Sequence, residues 1–149
     1  MRPSLTKDET EAWVSMVIST DKLIGLIDSE LKKRGLPPYS WYDVLLELDK
    51  CDDGRLRFVE IGKRVLLTRY NVTRTIARLE NAGLVTREEC NDDARGYFAV
   101  ITRKGRNTRK KMWPVYYNVL KKYFFSAMNE KELKIFLQLI RKVRKTIEA

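Results

Sequence analysis

Two closely spaced amphipathic segments, residues 58–66 and 68–83, constrain the fold of this chain most strongly. In each segment apolar side chains recur at intervals of three and four residues, which predicts a short helix with one buried face. Those positions are Phe58, Ile61 and Val65 in the first segment, and Val72, Ile76 and Leu79 in the second. Thr68 is a favourable N-cap for the second helix, and Gly83 suits its C-terminal end. Two short helices joined by so short a turn predict a helix-turn-helix.

A β-hairpin is predicted directly after the second helix. Residues 84–90 and 97–102 are β-prone, and the segment between them, 91–96, is rich in Asn, Asp and Gly. Apolar residues occur at alternate and at adjacent positions in both runs, so the sequence leaves open which side chains face the core. A helix-turn-helix followed by such a hairpin, or wing, predicts a winged helix-turn-helix over residues 36–103.

A long helix is predicted before this region. It spans residues 6–33 and begins with a possible capping box, in which Thr6 and Glu9 satisfy each other's backbone groups. A glycine and two prolines in residues 35–38 end it, because proline cannot continue the hydrogen-bond ladder. Ser40 is then placed to cap the short helix that follows.

Two more helices are predicted at the C-terminal end. Residues 103–126 have a helical pattern, and Pro114 should kink this helix unless the helix begins there. Asn129 and Glu132 form a second capping box, which opens a last helix that runs to residue 147.

The predicted fold class is therefore mainly α (α+β). A single domain, residues 1–149, contains the winged helix-turn-helix lobe (36–103) and long terminal helices (6–33 and 107–147). These helices carry more apolar surface than one small lobe can cover, so we expect them to form a dimerisation region with a second copy. The alternative is that their apolar stripes only complete the core of the monomer.

Positive charge is concentrated in the middle of the chain. Residues 63–111 hold 13 Lys and Arg against 5 Asp and Glu, a net +8 out of the +10 of the whole chain. A basic segment of this density indicates a polyanionic partner. The alternative is a solvated basic face without a partner.

Other features exclude whole classes of function. The chain has no histidine, and no nucleophile-base pair, metal cluster or phosphate-binding glycine loop is present, so the sequence predicts neither an enzyme nor a cofactor or metal site. Cys51 and Cys90 are far apart and outside any CxxC spacing, which favours structural or incidental thiols. No apolar run approaches the roughly 18 residues of a membrane span, and the N-terminal segment lacks the layout of a signal peptide, so a soluble cytoplasmic protein is expected.

Residues 58–105 resemble the multiple-antibiotic-resistance regulator (MarR) family of winged-helix repressors, and the resemblance extends over essentially the whole chain. The family pattern combines a small-residue cap, a helix core, a Gly-Leu-Val exit, a wing with Asp-x-Arg and a strand ending in Leu-Thr-x-x-Gly. It stands here as Thr68, Val72-Thr73-Arg74, Arg78-Leu79-Glu80, Gly83-Leu84-Val85, Asp93-Ala94-Arg95 and Ile101-Thr102-Arg103-Lys104-Gly105.

Two segments depart from this pattern. Leucine precedes Thr68 where many relatives place glycine, and Tyr70-Asn71 replaces the small hydroxyl residues often found early in the recognition helix. The base preference of relatives is therefore not transferable to this chain.

The resemblance implies sequence-specific binding of double-stranded DNA and regulation of transcription, with repression as the expected outcome. An α-helix fits the major groove, and its exposed face can reach base edges. The candidates for base or nearby phosphate contact are Arg69, Tyr70, Asn71, Thr73 and Arg74. For Arg78, an intramolecular ion pair or a phosphate contact is as good an interpretation as base recognition.

The resemblance also implies that Arg95, at the wing tip, enters the narrow minor groove, with Asp93 orienting its guanidinium. The alternative is an ordinary surface salt bridge. Contacts to the DNA backbone are expected from Ser40, Thr68, Lys63, Arg64, Arg87 and the cluster 103–111.

A homodimer of this kind would recognise a palindromic operator. Relatives often respond to small aromatic effectors, for which Trp13, Trp41, Tyr42 and Tyr116 are candidate pocket residues, with ordinary core packing as the alternative. Some relatives sense oxidants through a cysteine near the first helix, but neither Cys51 nor Cys90 lies there. The rival to a sequence-specific regulator is a non-specific nucleic-acid-binding architectural protein, or an RNA-binding protein, that uses the same charge.

Overall fold

The computed structural model describes residues 1–65, 69–90 and 96–149, apart from the side chains of Arg69 and Tyr70. The helices are α1 (Lys7–Lys33), α2 (Tyr39–Lys50), α3 (Phe58–Arg64), α4 (Arg69–Asn81), α5 (Arg103–Tyr123) and α6 (Glu130–Glu148), and the strands are β1 (Arg55–Arg57), β2 (Val85–Glu89) and β3 (Tyr97–Ile101). A 3-10 turn, Phe125–Ala127, precedes α6. The mainly α (α+β) prediction is confirmed.

The chain divides into two compact units. Unit 1 comprises Met1–Ile27 and Tyr116–Ala149, and unit 2 comprises Asp28–Val115. Unit 2 contains α3, α4 and the hairpin β2–β3 in the order of the predicted winged helix-turn-helix. The boundaries predicted for the lobe, 36–103, stay a prediction.

The sheet of unit 2 has three antiparallel strands in the order β1-β3-β2. Leu56 pairs with Ala99 across β1 and β3, and both side chains are buried. The sequence predicts the hairpin but misses β1, because three residues are too few to show an alternating pattern and the partner strand lies far along the chain. The preceding turn ends at Gly54, whose positive φ of 66° favours glycine.

The start of α2 corrects the prediction for Ser40. The N-cap residue is Pro38, which makes no side-chain capping bond, and Ser40 lies exposed in the first turn. Asp28, in α1, supplies the missing acceptor instead: the backbone N–H of Tyr39 donates to its carboxylate over 2.7 Å. A carboxylate from another helix therefore satisfies one of the unpaired donors of this helix start.

Three other predicted helix ends agree with the structure, whereas α5 ends at Tyr123 and not at residue 126. Both capping boxes are formed, by Thr6 with Glu9 and by Asn129 with Glu132. Helix α4 ends in a Schellman arrangement, in which Gly83 N–H donates to the carbonyl of Glu80 and the following N–H donates to that of Leu79. Helix α5 begins before Pro114 and continues through it, so the alternative start at the proline is wrong.

The core lies in unit 2, where it joins α2, α3, α4 and the start of α5. Its largest fully buried side chains include Leu45, Leu48, Ile61, Ile76, Leu79 and Met112. By contrast, α6 has no buried residue, and the apolar side chains of α1 between Trp13 and Ile18 are exposed. None of the described helices is both long enough and apolar enough to cross a membrane.

Candidate nucleic-acid interface

Helix α4 has one face in the core and one in solvent. Val72 is 2% exposed, and Ile76 and Leu79 are fully buried, so the predicted anchoring stripe is confirmed. The predicted contact residues that the structure describes on the other face are all exposed: Asn71, Thr73, Arg74 and Arg78. The fold therefore holds the helix by one side and leaves the polar and basic side accessible to a ligand.

Three predicted contact residues lie outside the described part of the chain: Thr68, Asp93 and Arg95. The backbones of Arg69 and Tyr70 form the first turn of α4, but their side chains are not described. The minor-groove role of the wing tip thus stays a prediction.

Arg87, a predicted phosphate contact, is occupied within unit 2. Its Nε lies 3.3 Å from the carboxylate of Glu80, so it joins β2 to α4. Its guanidinium also lies 5.5 Å from the ring centres of both Phe58 and Tyr97. These contacts hold the hairpin against the two short helices.

Two basic residues at the end of α3 are also predicted phosphate contacts. Arg64 lies 3.6 Å from Glu47 of α2, and Lys63 lies 3.7 Å from Glu60 of its own helix. Both bases remain exposed, so these ion pairs are of the weak surface kind and can exchange for phosphate.

The basic cluster 103–111 divides into structural and accessible residues. Arg106 and Arg109 both pair with Asp49 of α2, with 2.5 Å between Nε of Arg109 and the carboxylate. Burial raises the pKa of Asp49, but the hydrogen bonds from Arg109 and Arg106 outweigh it and hold that pKa below its ordinary value. The exposed bases that remain are Arg103, Lys104, Lys110 and Lys111.

One basic feature of the sheet was missed from the sequence. The guanidinium of Arg55 lies 4.0 Å from the ring centre of Phe98, and that of Arg57 lies 5.6 Å from it. Arg55 also pairs with Glu88, at 3.1 Å, whereas Arg57 is exposed. The only signal in the sequence was the alternation of two arginines around the buried Leu56.

The candidate effector residues fall in different units. Tyr42 is buried in unit 2, where it stacks on Trp113 with 6.1 Å between ring centres, and Trp41 is half-buried nearby in sequence. A side-chain hydrogen bond to Tyr42 is also among the interactions that raise the pKa of Arg109 against the opposing effect of burial. Trp13 and Tyr116 belong to unit 1, so a pocket that all four residues share stays a prediction.

The two thiols differ in exposure. Cys90 is buried, and Cys51 is half-buried with its Sγ donating to the carbonyl of Glu47 over 3.4 Å. Among residues 1–65, 69–90 and 96–149, no group of three or more potential ligands could hold a metal ion.

Comparison with known proteins identifies the family. The sequence model of the MarR family matches residues 34–96, which include α2, α3, α4 and β2. The transcriptional regulator HosA of Escherichia coli is 32% identical over 96 residues, which are 64% of this chain and 70% of HosA. The chain belongs to the MarR family. As a member it is a DNA-binding transcriptional regulator, not an enzyme, and the resemblance seen in the sequence is confirmed.

Solved structures of MarR regulators from Streptomyces coelicolor share the whole fold. AbsC is 25% identical, with a TM-score of 0.89 and 99% of both chains covered. Sco3205, whose structure is a complex with DNA, is 28% identical, with a TM-score of 0.89, and the match covers 97% of this chain and 91% of Sco3205. The predicted winged helix-turn-helix is thereby confirmed.

Proposed function

We propose that this MarR regulator is a cytoplasmic homodimeric repressor that reads a palindromic operator through α4. The observation that carries the proposal is the division of α4 into a buried stripe and an exposed face with Thr73 and Arg74. A helix held in this way can lie in the major groove while the fold behind it stays unchanged. Arg74 is the residue we expect to recognise a base, because its guanidinium can donate two parallel hydrogen bonds to guanine.

The wing and the surrounding bases would complete the interface. We expect Asn71, Arg69 and Tyr70 to assist Arg74, and Arg78 to contact either a base or phosphate. Arg95 would occupy the minor groove with the support of Asp93. The backbone contacts would come from Ser40, Thr68, Lys63, Arg64 and the exposed bases of the cluster 103–111.

Unit 1 would form the dimer. The exposed apolar side chains of α1 and α6 make a surface that a solitary soluble chain rarely carries. A second copy is the partner we propose, because a two-fold axis brings identical apolar stripes together and places two copies of α4 on successive half-sites. A small aromatic effector would act by changing the spacing between those two helices.

DNA selection and competition test this proposal. The full chain is incubated with random-sequence duplexes, and the enriched duplex is compared with random DNA in direct binding measurements. We expect Arg74→Ala to reduce the preference for the enriched duplex by about 10- to 100-fold, the usual effect of one bidentate base contact. Arg34→Ala is the matched control, since this exposed arginine follows α1 in unit 2 and pairs with Glu30 rather than lying on α4.

Two results of these binding measurements would contradict the proposal or part of it. If wild-type protein bound enriched and random DNA equally, the non-specific architectural alternative would replace the proposal. If Arg74→Ala lowered both affinities by the same factor, Arg74 would contact only phosphate and another residue would read the base.

A further inference from the structure

Residues 102–104, at the N-terminus of α5, donate hydrogen bonds to the segment that directly follows the C-terminus of α4. The backbone N–H of Thr102 donates to the carbonyl of Leu84 over 3.0 Å, and its hydroxyl donates to the carbonyl of Gly83 over 2.7 Å. The ammonium group of Lys104 donates to the carbonyl of Ala82 over 2.9 Å. Three consecutive carbonyls at the end of the recognition helix are thus held by one short segment.

The same threonine also starts α5. Its hydroxyl oxygen accepts from the backbone N–H of Gly105 over 3.0 Å, and its carbonyl accepts from that of Arg106, also over 3.0 Å. Thr102 is therefore the N-cap of α5, and its single hydroxyl links the end of one helix to the beginning of the other.

The backbones of the two helix ends also touch. A Cβ atom built on Gly105 would lie 2.2 Å from the carbonyl oxygen of Leu84 and 2.8 Å from Cγ1 of Ile101. Contacts this short are impossible for a side-chain carbon, so this position requires glycine. The junction of residues 82–84 with 102–105 is consequently close-packed as well as hydrogen-bonded.

We propose that Thr102 is a positioning residue for DNA recognition, which fixes the direction of α4 relative to α5. Helix α5 runs as one continuous helix from Arg103 to Tyr123, so the helix that Thr102 caps in unit 2 ends within unit 1. The inference rests on the proposed dimer that reads two half-sites. In such a dimer, a stiff link between α4 and α5 allows one half-site spacing, and a loosened link tolerates others.

The test measures spacing discrimination. The enriched duplex is compared with two duplexes whose half-sites are moved apart or together by one base pair. Thr102→Val keeps the shape of the side chain and the backbone bond to Leu84 but removes both hydroxyl bonds. We expect it to lower the preference for the original spacing about fivefold, which is within the free energy that the loss of two hydrogen bonds makes available. Thr102→Ser should restore the preference.

Two further variants keep the test decisive. Thr86→Val makes the same change at an exposed position of β2 and should behave as wild type. Lys104→Met removes the bond to Ala82 together with an exposed charge that is itself a proposed phosphate contact, and it should lower the spacing preference roughly twofold even if Thr102→Val does not fold. Loss of a phosphate contact would weaken all three duplexes equally and leave the ratio unchanged.

An unchanged spacing ratio in Lys104→Met, and in Thr102→Val where it folds, would overturn the inference while leaving the proposed function intact. A wild-type protein that bound the enriched duplex no better than random DNA would instead refute the proposed function itself. The two failures are therefore distinguishable within one set of measurements.

Discussion

The two units of the molecule use their apolar residues in opposite ways. Of the 19 buried apolar side chains in the described part of the chain, only Ile27 and Val119 belong to unit 1. Of the 20 large apolar side chains exposed there, only Val59, Tyr97 and Trp113 belong to unit 2. Unit 2 thus resembles an ordinary folded domain, whereas unit 1 presents its apolar side chains to solvent.

Ion pairs show the same contrast. Unit 2 contains pairs between distant elements, such as Asp49 with Arg106 and Arg109. Within the described residues of unit 1, the ion pair present is Arg144 with Glu148, one turn apart on α6. Long-range ion pairs therefore join the elements of unit 2 within one chain, whereas the terminal helices would obtain theirs in the proposed dimer.

The largest expected effect tests whether unit 1 is an interface. Val17→Asp places a carboxylate on the exposed apolar face of α1, where the side chain is 46% exposed. In a symmetric dimer it would bury two unpaired charges, so the dissociation constant should rise at least about a thousandfold. Sedimentation velocity over a range of protein concentrations measures this change.

Val59→Asp is the matched control for that experiment. Val59, on α3 in unit 2, is 61% exposed, and the same substitution there should leave the assembly unchanged. Equal behaviour of the two variants would contradict the contrast between the units and remove α1 from the interface.

A smaller effect compares two isoleucines. Ile76 is fully buried in α4. Ile76→Ala should therefore destabilise the fold by about 2–5 kcal/mol, because the truncation leaves a cavity. Within a single chain, Ile135→Ala should change stability by less than about 0.5 kcal/mol, because the side chain is 56% exposed on α6, so a larger loss is expected only where the proposed dimer covers it. Urea unfolding followed by circular dichroism measures both, and a large loss for Ile135→Ala would show that a partner covers this position.

The sequence predicts local features of this fold well because each is set by nearby residues. Spacing and backbone chemistry alone predict three such features: the buried stripe of α4, both capping boxes, and the termination of α4 just before Gly83. The start of α2 could not be predicted in this way, since Asp28, which satisfies its N-terminal donor, lies on another helix. Strand β1 could not be predicted either, since its pairing partner, β3, lies far along the chain.

The same limit applies to the candidate interface. Charge counting identifies residues 103–111 as a basic cluster, but it cannot show that Arg106 and Arg109 are both paired with Asp49. It likewise cannot show that Arg87 is held by Glu80 and two aromatic rings. Sequence alone therefore overestimates how many basic side chains are available to DNA, because the acidic residues that pair with them lie on other elements of the fold.

The smallest effect is a difference between two aspartates of α2, Asp49 and Asp43, in how the free energy of unfolding changes with pH. The pKa of Asp49 is lowered from an ordinary 3.8, so its stabilising contribution is present above that value and is lost as pH falls through the lowered pKa. Asp49→Asn should therefore cost about 1–3 kcal/mol at neutral pH, the range for hydrogen bonds to charged groups, and the difference from wild type should shrink in acid.

Asp43 should show the opposite sign. Burial, followed by repulsion from Glu47, raises its pKa, so its charged form opposes folding at neutral pH and protonation relieves this as pH falls through the raised value. Asp43→Asn should thus be slightly more stable than wild type at neutral pH, by less than about 1 kcal/mol. Urea midpoints between neutral pH and about pH 3 measure both variants. If the stabilities of Asp49→Asn and Asp43→Asn changed with pH in the same way, the pairing of Asp49 with Arg106 and Arg109 would not stabilise unit 2.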